Sequence, residues 1–128
     1  MRNERILFNS WNPISELPRD LIVEAVSDDN DGFRMHLKQR GESRILCLTF
    51  DPVLTYRSIE ESLMIKYARG DVGELDRYSL FTVSDSDYLK WFSQVSQGTR
   101  TDTVHYAVYL SNQCVDVISD YTPQVNWL

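Results

Sequence analysis

His105, Asp116 and Asp120 are the residues of this 128-residue chain best spaced to do acid–base chemistry. They fall on two runs of alternating character, residues 103–110 and 114–120, with Asn112 and Gln113 in the turn between them. Matching apolar side chains sets Leu110 against Val115 and Val108 against Val117. That register puts Tyr109 opposite Asp116 and His105 opposite Asp120, on the face turned away from the core. An imidazole oriented by a carboxylate is the supporting half of a base-and-nucleophile arrangement. A small hydrolase or transferase could use His105 with Asp120 or Asp116. The pattern sets no serine or cysteine beside His105, because Cys114 lies at the far end of the hairpin. Cross-strand polar pairing on an exposed sheet face explains the same residues, so no catalytic residue is assigned.

The other reactive groups resolve more simply. Asp28, Asp29 and Asp31 crowd a loop that ends at Gly32. Setting Gly32 at the sixth position of a calcium-binding loop puts Ser27 first and Lys38 twelfth. A lysine cannot supply the bidentate carboxylate, and both flanks read as strands, so the loop is a polar turn. Cys47 and Cys114 sit in apolar runs and read as reduced, buried thiols. No clustered Cys/His spacing suits zinc, and no glycine-rich phosphate loop is present, so no metal or cofactor is expected. Arg34, His36 and Lys38 form a short basic stripe without interleaved aromatics on that face. With a net charge of −6 and a pI near 4.8, the chain does not read as a binder of nucleic acid or of an anionic membrane.

The elements that must hold these residues follow from periodicity. Residues 21–26 read as a strand, and residues 33–38 alternate with Phe33, Met35 and Leu37 on one face. Residues 44–50 pair with them if Leu37 faces Leu46, Met35 faces Leu48 and Phe33 faces Phe50. Beyond Pro52, residues 53–56 can run on as an edge segment. Ser58 to Glu61 has the form of a capping box, with Ile59, Leu63 and Tyr67 on one stripe and Gly70 as the stop. That segment can also extend as a strand. Residues 80–83 form a short strand. Tyr88, Trp91, Phe92 and Val95 then recur at helical spacing after Ser84-Asp85-Ser86-Asp87, so a helix over 88–97 should bury Trp91 and Phe92 on the sheet. The expectation is one α+β domain over residues 1–128, with an antiparallel sheet of about five or more strands, one helix, and a second at 58–70 if that segment coils.

The apolar stretch at the N-terminus is three residues long, and no run can span a bilayer, so the expected compartment is the cytoplasm. Aromatic residues make up 12% of the chain, a good supply of rigid contact area. Trp11 and Trp127 lie outside the periodic elements, where a docking surface or a terminal anchor would use them.

The stretch from Leu80 to Phe92, with His105-Tyr106-Ala107-Val108-Tyr109 and Val115-Asp116-Val117-Ile118-Ser119, resembles small uncharacterised bacterial domains. Some of these look like immunity proteins encoded beside polymorphic or contact-dependent toxins. The resemblance covers the C-terminal third best and carries over no catalytic residue. It implies a bacterial cytosolic protein that acts by binding, and the acidic charge of the chain fits a basic toxin domain as the partner. Asp28, Asp29, Asp31, His105, Tyr109, Asp116, Asp120 and Trp127 are the residues expected to meet that partner. The chain could instead be a structural homodimer subunit, or the hydrolase or transferase outlined above.

Overall fold

The alternation at 33–38 and the apolar run that follows form a hairpin, β3 (Gly32–Gln39) and β4 (Ile45–Phe50). Phe33 pairs with Phe50, Met35 with Leu48 and Leu37 with Leu46, as side-chain matching predicts, and all six are fully buried. The structure, a computed structural model, describes residues 7–60 and 79–128. On the other side of β3 lies β2 (Leu21–Asp29), longer than expected because the turn contracts to Asn30-Asp31. Gly32 closes that turn at φ 104°, and a Cβ there would stand 3.2 Å from the Asp51 side chain. Its missing side chain lets Asp51 pack beside the acidic turn. β9 (Gln124–Trp127) completes this sheet in the order β2-β3-β4-β9.

A second antiparallel sheet has the order β1-β6-β7-β8-β5. Its strands are β1 (Leu7–Ser10), β5 (Thr55–Glu60), β6 (Ser79–Ser84), β7 (Val104–Tyr109) and β8 (Gln113–Ser119). The sheets share one core, with Leu21, Phe33, Met35, Leu46, Leu48 and Phe50 from one and Leu80, Tyr106, Val108, Val115 and Val117 from the other. Trp11 packs on this core with its ring 4.9 Å from that of Tyr106.

Four expectations are corrected. The fold is β-rich rather than α+β: two sheets of five and four strands carry one helix among the described residues, α1 (Asp87–Val95). The serine heading the expected capping box is a strand residue, because Ser58 pairs with Val115 while Arg57 meets Asp116 and Ile59 meets Cys114. Pairing along a whole strand outweighs a local capping pattern; residues 61–70 of that predicted helix lie outside the described residues.

The C-terminal hairpin is shifted by two residues from the expected register. Leu110 N–H bonds to Gln113 O at 3.0 Å, closing a tight turn at Ser111-Asn112. Val108 therefore pairs with Val115, His105 with Ile118 and Ala107 with Asp116. An even slip keeps each residue on its expected face and changes only its partner. That other face is itself buried. Phe8, Phe81, Val83, Ala107, Tyr109 and Cys114 form a second core on it.

The helix stands nearly where its periodicity puts it, but its stripe is not the core. Tyr88 is buried, Phe92 is half-buried, and Trp91 and Val95 are 47% and 57% exposed. The expectation that Trp91 and Phe92 anchor the fold is overturned. The interior is already filled by sheet residues, so the helix contributes little beyond Tyr88.

Candidate functional site

β6 runs antiparallel beside β7 with Val83 opposite His105, so the chain leaving β6 passes close to the imidazole. The turn into α1 sets Ser86 there, and Ser86 Oγ lies 2.7 Å from His105 Nδ1. From the other side Asp116 reaches His105 Nε2 with its Oδ1 at 2.6 Å. Ser86, His105 and Asp116 are all fully buried. The two-residue slip makes this triplet: it moves Asp116 opposite Ala107, midway between His105 and Tyr109. Tyr109 O–H donates to the same Oδ1 at 2.6 Å, and Arg57 Nε donates to Oδ2 at 2.8 Å.

The hydrogen-bond roles follow from these contacts. A carboxylate only accepts, so His105 gives its Nε2–H to Asp116. With the Ser86 hydroxyl donating to Nδ1, Ser86 Oγ remains the acceptor for Leu89 N–H at 3.1 Å and caps α1. No donor or acceptor in the triplet is then left over. Burial pushes the Asp116 carboxyl up. Hydrogen bonds from His105, Tyr109 and Arg57 more than offset this and hold it below its ordinary value.

A serine, a histidine and an aspartate in series have the composition of an acyl-transfer triad, but these meet the imidazole through the opposite nitrogens from that arrangement. The serine oxygen is fully buried and committed to the helix cap. The geometry fastens the start of α1 to the sheet. Tyr88 extends the fastening, with its ring edge-on to His105 and its hydroxyl 3.1 Å from Thr55 Oγ1. Ser86 is the member that sequence reasoning missed. The signal for it is the pairing of the apolar run 80–83 with β7, which brings the following turn to His105.

The remaining predicted residues are distributed elsewhere. Asp120 is bonded to Arg100 at 3.0 Å and not to His105. His105 faces inward, contrary to the expectation that it lies outward beside Asp120. Trp127 belongs to β9 near the opposite end of the molecule, beneath the Arg44 guanidinium, which stands 4.3 Å from its ring centre. Asp28, Asp29 and Asp31 stay at the β2–β3 turn, where Asp29 binds Arg34 at 2.7 Å and accepts the Asp31 N–H.

That turn has acidic neighbours. The pairing of β3 with β4, β5 with β8, and β6 with β7 carries the connections at Asp51, Asp85 and Asp87, Asp102, and Asp120 to the same end of the molecule. Eight aspartates gather there, seven of them exposed and Asp120 half-buried. Arg34 and Arg100 are each paired with one of the eight. Tyr121, 62% exposed, stands among them, and Tyr56 lies beside Asp28. The opposite end is mixed in sign, with Asp20 paired to Arg40 and Glu16 and Glu42 near Arg44.

Among the described residues no group of three or more His, Cys, Asp or Glu could hold a metal ion, and no helix is long and apolar enough to cross a membrane. The chain matches no known family, no curated protein and no solved structure.

Proposed function

We propose that this protein is a non-enzymatic binding domain whose partner is a basic protein, most concretely a toxin domain that it neutralises. The observation that carries the reading is the gathering of eight aspartates from five connections onto one end, beside Tyr56 and Tyr121. Such an end projects a negative potential that steers a cationic surface into contact, and exposed aromatics supply contact area at low entropic cost. The burial of Ser86 speaks against a hydrolase, since a nucleophile that caps a helix cannot meet a substrate.

The test uses the products of the neighbouring reading frames, purified and mixed with this protein. A 1:1 complex with a basic, toxin-like neighbour, whose association slows steeply with salt, is the expected result. Association indifferent to salt, or with an acidic partner only, overturns the reading.

A further inference from the structure

Asp87, Tyr88 and Trp91 occupy the first turns of α1, with Asp87 and Trp91 four residues apart and therefore on one face. The Tyr88 and Trp91 rings stack with centres 5.7 Å apart and planes within 7°. Together with Thr55, Tyr56 and Arg57 they line an open cleft of about 470 Å³. One cation is already held in it: the Arg57 guanidinium stands 4.3 Å from the Tyr88 ring centre. Its charge is balanced by Asp116 at 2.8 Å, so it opposes a second cation only weakly. Trp91 remains 47% exposed, and indole gives the strongest cation–π face of the aromatic side chains.

The charge around the cleft selects its occupant. Asp87 lines it, Asp85 lies two residues before, and Asp28 stands beside Tyr56 at its edge. An aromatic platform with a carboxylate one helical turn away suits a flat cation that can stack and donate at once. That is arginine more than lysine, whose ammonium is compact and strongly hydrated.

We propose that the Thr55–Trp91 cleft seats an arginine side chain of the partner, stacked on Trp91 with Asp87 accepting its N–H groups. The proposal rests on the reading that the partner is basic, and adds where one of its side chains goes.

Octa-arginine and octa-lysine, equal in charge, are the probes, titrated into the full chain at low salt while the backbone and indole N–H resonances are followed. Octa-arginine should move the Trp91 indole signal and bind several-fold more tightly than octa-lysine. Trp91→Leu keeps apolar area but removes the π face, and should weaken octa-arginine about three- to tenfold and erase the preference between the peptides. Asp87→Asn should weaken it in the same direction, whereas Tyr121→Ala should leave the preference intact. Trp91→Phe, which retains a smaller π face, should fall between wild type and Trp91→Leu; the same spectra report whether each variant is folded. If Trp91→Leu binds octa-arginine like wild type, with shifts confined to the aspartate turns, the cleft assignment is wrong while the acidic end still stands as the partner surface. If neither peptide binds at low salt, both are wrong.

Discussion

Asp116 is where one side chain does the most. Its two oxygens take three donors, from His105, Tyr109 and Arg57, inside a sheet that is buried on both faces at that point. Removing it leaves a buried imidazole N–H and a buried phenol without an acceptor, so Asp116→Ala should cost about 3–5 kcal/mol in urea melts. The figure belongs mainly to the buried partners, since Arg57 is 44% exposed and can turn to water. The pH dependence has a definite sign. The folded carboxyl is held below its ordinary value of 3.8, so the unfolded chain binds the proton more readily. Its contribution is therefore present above about pH 4 and lost as pH falls through the folded value, and Asp116→Asn should flatten the acid limb of a stability–pH curve. An unchanged acid limb in that variant would show that the carboxyl is not held as described. Ser86→Ala should cost about 1–3 kcal/mol, combining a lost cap with an unpaired His105 nitrogen, with no loss of any turnover.

At the scale of elements, stability should reside in the strands and not in α1. Phe33 and Phe50 are fully buried between the sheets, so Phe50→Ala should cost about 3–5 kcal/mol, whereas Trp91→Ala on the exposed side of the helix should cost less than about 1 kcal/mol. Denaturant midpoints compared at constant m would decide it, and equal losses at the two sites would mean that α1 is packed as tightly as the core. What could be read from the sequence divides along the same line. The β3–β4 register was legible because Phe33, Met35 and Leu37 have apolar partners at one spacing only. The β7–β8 faces were legible, but the partners were not, since a shift of two residues preserves every face and the tight turn at Ser111-Asn112 carries no glycine to mark it. Periodicity located α1 yet misjudged Trp91 and Phe92, because a helical stripe says which residues share a side and not whether another element covers it. The Ser86–His105 contact depends on β6 lying beside β7, a long-range pairing that no local pattern announces.

Across the whole molecule, the topology sets like charges side by side, and that has opposite consequences for stability and for association. Asp31, Asp51 and Asp102 lie on three separate connections of the acidic end and are all exposed. None of them has an ion-pair partner among the described residues. Self-repulsion at that end should make wild-type stability rise with added salt. Converting the three to asparagine should leave the melting temperature unchanged or slightly higher, since no hydrogen-bonded pair is broken. Encounter with a basic partner should respond in the other direction. Charges at the rim of an interface act on the rate of approach more than on the lifetime of the complex. The triple variant should therefore associate about tenfold more slowly at low ionic strength, with a shallower salt dependence and a nearly unchanged dissociation rate. Stopped-flow measurements at two salt concentrations separate these quantities. A dissociation rate that rises while association holds steady would place these aspartates in the packed centre of the interface, and an association rate unmoved at both salts would rule out steering by this end.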